Sequence, residues 1–103
     1  MIILNALYKK PADVDDFKTH YNNIHTPLVK KIPGLERVLV SYVSKVYAGT
    51  KDDYYMLAQM FYANDDAFTT AMMSPENKAT GADLANFAQA GVSLFVSREE
   101  SAS

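Results

Sequence analysis

Cysteine is absent from the 103 residues, which excludes disulfide frameworks, CxxC redox chemistry and thiolate metal sites. The four glycines are scattered singly, so no glycine-rich phosphate loop is present. Neither sign of charge dominates. Ten Lys and Arg against twelve Asp and Glu give a formal net charge of -2, which argues against a generic electrostatic grip on nucleic acid or anionic membrane. No apolar run approaches the ~18 residues that a membrane helix needs. The opening MIILNALYKK is apolar only as far as Tyr8 and carries its lysines after that stretch, the reverse of a secretory signal. A cytoplasmic protein with no nucleic-acid or membrane partner is the expectation.

What is present is apolar bulk. Hydrophobic residues make up 49% of the chain, with seven Tyr, five Phe and five Met, in a length that suits one domain. A domain this small buries only roughly two-thirds of the surface its unfolded chain exposes. The surplus needs either a second surface to cover or a pocket to line.

Hydrophobic spacing divides the chain into six elements without linkers. Ile2 to Tyr8 reads as a strand ended by Lys9-Lys10-Pro11. Asp13 can cap a helix whose apolar residues Val14, Phe17, Tyr21, Ile24, His25, Leu28 and Ile32 recur at three- and four-residue steps, stopped by Pro33-Gly34. Glu36–Val46 and Tyr54–Tyr62 read as a hairpin across the turn chemistry of Ala48 to Asp53. Asn64 or Asp65 can cap a second helix through Met73, interrupted at Ser74-Pro75 and resuming around Ala82 to Ala88. Gly91 releases a last strand, Val92–Ser97, and residues 99–103 read as a frayed tail beyond a single 1–98 domain.

The order βαββαβ predicts an α+β, ferredoxin-like fold with two helical regions on one face of a four-stranded antiparallel sheet. In a monomer the bare face alternates to polar. Here Ile2, Leu4, Ala6 and Tyr8 back onto Ile3, Asn5 and Leu7, and Met56, Ala58 and Met60 onto Leu57, Gln59 and Phe61. A sheet apolar on both faces calls for a cover, and a sheet-to-sheet homodimer is the simplest one.

Among residues that could carry chemistry, His25 stands out. It shares the apolar stripe with Tyr21 and Leu28, just before Pro27, which has no N–H to give to the Asn23 carbonyl. An inward imidazole beside a broken helix suits a general acid or base; a space-filling imidazole is the competing reading. His20 falls on the opposite, polar face with Asp13 and Asp16 and reads as solvated. Five residues apart and facing apart, the two histidines make a poor metal pair. Tyr21 and Tyr42 could turn hydroxyls toward a bound molecule. Asn5, alone among apolar neighbours, faces either a ligand oxygen or a dimer seam. Met60 and Phe87 are either core or pocket wall.

The segment His25-Thr26-Pro27-Leu28-Val29-Lys30-Lys31-Ile32-Pro33-Gly34-Leu35 resembles the EthD family, small proteins of the dimeric α+β barrel superfamily named after an ethyl tert-butyl ether degradation gene cluster. Asn5 to Pro11, Ser74-Pro75-Glu76 and Ala82 to Ala88 resemble the family's opening and second helical region. The resemblance implies a homodimeric, ferredoxin-like fold and a cavity between helices and sheet in which His25 moves protons. Superfamily relatives include cofactor-free monooxygenases, cyclases and isomerases. It therefore implies a cofactor-independent enzyme acting on a small hydrophobic, oxygenated organic ligand, with His25 catalytic and Asn5, Tyr21, Tyr42, Met60 and Phe87 around the substrate. No cofactor and no metal is expected. A non-catalytic binding or accessory protein would use the same pocket without a titrating group, and a purely structural dimer would close it with its own side chains.

Overall fold

The computed structural model describes residues 1–49 and 52–100. Strand β1 (Ile2–Lys9) is followed by helix α1 (Val14–His20), a π-helical turn (Tyr21–His25) and helix α2 (Thr26–Val29). Strands β2 (Arg37–Tyr42) and β3 (Tyr54–Tyr62) come next, then helices α3 (Asp65–Met72) and α4 (Pro75–Phe87), and strand β4 (Val92–Arg98). The four strands form one sheet in the order β2-β3-β1-β4, antiparallel throughout. This is the βαββαβ, ferredoxin-like α+β architecture.

Local chemistry sets the helix starts. Asp13 accepts from the Asp16 N–H at 3.0 Å, and Asn64 accepts from the Ala67 N–H at 2.9 Å, each satisfying a donor that the first turn leaves open. Ser74 does the same for the Asn77 N–H at 3.1 Å. Helix α4 therefore starts at Pro75, seven residues before the expected Ala82. Proline at the first helical position needs no N–H partner and has the right φ already; here it begins a helix.

The first helical region departs from a regular α-helix where Pro27 demands it. In an α-helix the Pro27 ring would press on the Asn23 carbonyl and offer it no hydrogen. One extra residue enters the turn instead, and the Thr26 N–H donates to the Tyr21 carbonyl five residues back. After α2, Gly34 turns the chain at φ +79, a left-handed conformation open to glycine.

Strand β2 is shorter than expected, ending at Tyr42 instead of Val46. The ladder between β1 and β3 shifts register between Tyr8 and Lys9, at the end of β3 where its pairing with β2 stops at Tyr42 and Met56. Beyond it the Val43 N–H donates to Tyr55 O at 2.8 Å. Thr50 and Lys51 of the expected turn lie outside the described residues. At the other end the Glu99 N–H donates to Met1 O at 3.0 Å, so the tail read as 99–103 is tied down at its first residue; Ser101 to Ser103 lie outside the described residues.

The core lies between sheet and helices. Ile2, Ala6 and Tyr8 from β1 and Met56, Ala58, Met60 and Tyr62 from β3 pack against Phe17, Tyr21, Val29, Ile32, Ala71 and Phe87. The molecule measures 37 × 36 × 16 Å, two layers thick, so the second sheet face is left outward. Among the described residues no helix is long and apolar enough to cross a membrane.

Candidate functional site

The π-helical turn decides the site. Residues five apart share a face across such a turn, whereas a regular α-helix separates them. His20 and His25 therefore converge, and both reach Asp83 on α4. His25 Nδ1 lies 2.9 Å from Asp83 Oδ2; His20 Nε2 lies 2.9 and 3.0 Å from the two carboxylate oxygens. Asn86 Nδ2 donates to Oδ1 at 2.9 Å. The expectation of a solvated His20 facing away from His25 is corrected: it rested on a 3.6-residue period that the turn at Pro27 breaks. Its side chain is 21% exposed against 5% for His25, so the cluster runs from a half-buried imidazole to a buried one.

Asp83 was not singled out by its own chemistry in the sequence. A signal was there: an acid among Thr80, Leu84 and Phe87, spaced as the buried stripe of a helix. Burial alone pushes its carboxyl up, but the hydrogen bonds from Asn86, His20 and His25 outweigh this and hold it below the usual range. An ionised carboxylate accepts only, so His25 Nδ1 donates to it, and the neutral ring keeps its lone pair at Nε2. Burial holds the His25 pKa below its ordinary value near 6.5, partly offset by the Asp83 hydrogen bond and charge. The ring is therefore neutral at pH 7, with its basic nitrogen fixed in direction.

That nitrogen has no hydrogen-bonding partner among the described residues. His25 lines a cavity of about 50 Å³ with Ala6, Tyr8, Met60, Tyr62, Thr80 and Leu94. A larger open groove of about 760 Å³ lies outside, edged by Asp16, His20, Asn86 and Phe87. Of the two histidines the groove reaches His20, and the inner cavity is lined by His25. Phe87, on the edge of the groove, is stacked on His20 at 5.0 Å and tilted against His25 at 4.7 Å.

The other candidate residues divide. Tyr21 is buried, its ring 5.6 Å from His25, and burial raises its pKa to about 12, so its hydroxyl stays protonated. Met60 lines the cavity. Tyr42 lies outside the cavity lining, 48% exposed, with its ring against Tyr55 and beneath the Lys18 ammonium. Asn5 is on the far side of the sheet. Its amide donates to Ser97 Oγ at 2.8 Å and accepts from Gln59 Nε2 at 3.0 Å; β1 alternation turns it away from His25. One residue was missed altogether. The Tyr62 hydroxyl is buried with no hydrogen-bond partner, a state that costs about 1–3 kcal/mol, and its side chain lines the His25 cavity.

The EthD domain pattern matches residues 9–91, which include every member of the His20–Asp83–His25 cluster. The chain belongs to the EthD family. An EthD family protein from Bacillus halodurans C-125 is 35% identical, with 97% of this chain and 99% of that one aligned at a TM-score of 0.87. An uncharacterised 11.0 kDa protein from the thcB–thcC intergenic region of Rhodococcus erythropolis is 34% identical, over 97% of this chain and 96% of its own length. A dimeric ferredoxin-like protein from Thermobifida fusca YX shares the fold at 18% identity and a TM-score of 0.66, over 92% of this chain and 87% of its own. As an EthD protein, the chain carries His25 and Pro27 at the π turn that brings the two imidazoles together.

Proposed function

We propose that this EthD protein is a cofactor-independent proton-transfer enzyme acting on a small hydrophobic, oxygenated organic molecule. One observation carries the reading: His25 stands between an ionised Asp83 at 2.9 Å and a cavity that its unpaired nitrogen can serve. Asp83 orients the ring and stabilises the imidazolium that forms; His25 Nε2 removes the proton. Tyr21 and Phe87 hold the imidazole in place, and Met60 contributes apolar wall. Such chemistry underlies the isomerase, cyclase and cofactor-free oxygenase classes alike. Cavity size narrows the ligand: about 50 Å³ holds roughly four waters, far below the ~300–1,000 Å³ of a pocket for drug-sized molecules.

We also assign the outward sheet face to a second copy of the chain. Leu39 and Phe95 on it are 39% and 47% exposed, beside Ile3, Leu7 and Phe61, and apolar area of this kind favours self-association. Dimeric ferredoxin-like proteins among the fold's relatives support the assignment. In that setting Asn5 fixes register at the seam.

The test of the catalytic reading is deuterium uptake from D2O into a panel of small carbon acids (nitroalkanes, ketones and 1,3-dicarbonyls). Wild type is expected to exceed the buffer rate, and His25→Ala to lose that excess while keeping its fold. Equal uptake by the two proteins removes His25 from the mechanism. Binding without uptake makes the protein a carrier. A single-protomer mass at micromolar concentration removes the sheet-to-sheet dimer.

A further inference from the structure

Among the described residues two tyrosine hydroxyls, those of Tyr55 and Tyr62, are buried without a hydrogen-bond partner. They differ in what lies beside them. Tyr55 sits at the bulge in β3, its ring against Phe17 and Tyr42, outside the lining of the His25 cavity. Tyr62 is fully buried, packs edge-on against Phe68 at 5.5 Å, and lines the same cavity as His25. Burial raises its pKa to about 12, which keeps the hydroxyl a donor at neutral pH. A buried donor without an acceptor is rare in folded proteins, and a cavity wall is where a ligand atom can supply one.

We propose that the Tyr62 hydroxyl is the donor to a ligand's carbonyl oxygen in this cavity, which makes the ligand class a compact, enolisable carbonyl compound. The carbonyl half of this inference stands on Tyr62 and the cavity; the enolisable half rests on the reading of His25 as a base. The two groups divide one reaction. His25 Nε2 takes the proton from the carbon beside the carbonyl, and the electron pair of that C–H bond moves into the carbonyl to give an enolate. Tyr62 O–H holds the developing negative oxygen. Returning the proton to the same or a conjugated carbon completes exchange or isomerisation, with no oxidant or reductant consumed. Thr80 and Asn77 line the cavity too, but each side chain already has a backbone partner, Glu76 O and Met72 O. Among the described residues the lining hydroxyls without a hydrogen bond are those of Tyr8 and Tyr62, and of the two it is Tyr62 whose hydroxyl is shut off from water.

The full chain is titrated by NMR with 2-butanone and with 2-methyl-1-butene, which has CH2 in place of the carbonyl oxygen. Tyr62→Phe is expected to weaken the ketone about tenfold, the worth of one good net hydrogen bond, and to leave the alkene within about twofold. Its melting temperature should not fall, because no protein hydrogen bond is lost, and Tyr55→Phe should leave both affinities unchanged. Unaltered ketone affinity in Tyr62→Phe overturns the proposal, as does equal weakening of ketone and alkene with a lowered melting temperature. Failure of the His25 reading is separate: no deuterium uptake into bound butanone, with the Tyr62-dependent ketone preference intact, removes enolisation and keeps the donor.

Discussion

The two faces of the sheet are built from alternate residues of the same strands, and each holds one polar cluster in apolar surroundings. On the outward face Asn5 donates to Ser97 and to backbone carbonyls and accepts from Gln59. Every polar atom of its amide is used. On the helix face Asp83 is likewise saturated, by His20, His25 and Asn86, but among the described residues no group hydrogen-bonds the second imidazole nitrogen of His25. A neutral network whose donors and acceptors cancel is suited to fixing a geometry. A charged cluster with one unspent lone pair beside a cavity is suited to moving a proton. Saturation, more than burial, separates the structural face from the reactive one.

The largest effect should come from removing the unspent group. His25→Ala is expected to lower deuterium uptake into carbon acids by about 100- to 10,000-fold, the usual worth of positioned proton transfer, in a chain that still melts cooperatively. Asn5→Ala in the same assay should leave the rate per protomer unchanged; an equal loss would erase the distinction between the faces.

Asp83→Asn comes next. It removes the negative acceptor shared by two imidazoles and should cost about 1–3 kcal/mol in urea unfolding. It should also move the acid limb of the rate profile to lower pH, because the Asp83 hydrogen bond and charge raise the His25 pKa. His20→Gln should move that limb the other way, since His20 charge lowers it. Limbs that move together would show that Asp83 does not couple the two rings. Besides Asp83 and His20, the titratable residues around His25 are Tyr21, packed against its ring, and Tyr8 and Tyr62 in the same cavity lining, all neutral over this range.

On the outward face, Asn5→Ala strands the Gln59 amide and the Ser97 hydroxyl. A loss of about 1–2 kcal/mol is expected, with weakened self-association by sedimentation equilibrium.

The smallest effect is in the pH dependence of stability. Burial lowers the His25 pKa in the folded chain, so between that value and about 6.5 the unfolded chain binds the extra proton. Stability should therefore fall as pH drops below 6.5 and level off below the folded pKa. Asp83, also lowered, stabilises above its ordinary value near 3.8 and loses that contribution as pH falls through its folded pKa. Comparing wild type with His25→Gln in urea at pH 7 and pH 5 isolates the histidine part.

Much of the fold was legible because its signals are local. Strand alternation gave β1 and β3, a side-chain cap gave the helix start at Asp13 and left the second between Asn64 and Asp65, and Gly91 marked the start of β4. The start of α4 was misread because Pro75 can end one helix or begin another, and Ser74 decides between them only when its hydroxyl caps the new turn. The inward placement of His25 was readable from the apolar stripe, and the residue is buried. His20 was misassigned and Asp83 was seen only within a family likeness, since their meeting depends on the register of a π turn and on the docking of α4 against it.

By itself, then, the sequence determined the order of elements, the surplus of apolar surface and an inward His25 before a helix-disrupting Pro27. These follow from period, capping and backbone chemistry within a few residues of each position. Only the tertiary structure decided which sheet face Asn5 occupies, that His20 and His25 share one carboxylate, and that the Tyr62 hydroxyl is left without a partner. Strand parity is symmetric until a helix layer covers one side. Hydrogen bonds between residues 58 and 63 positions apart exist only once that layer has docked.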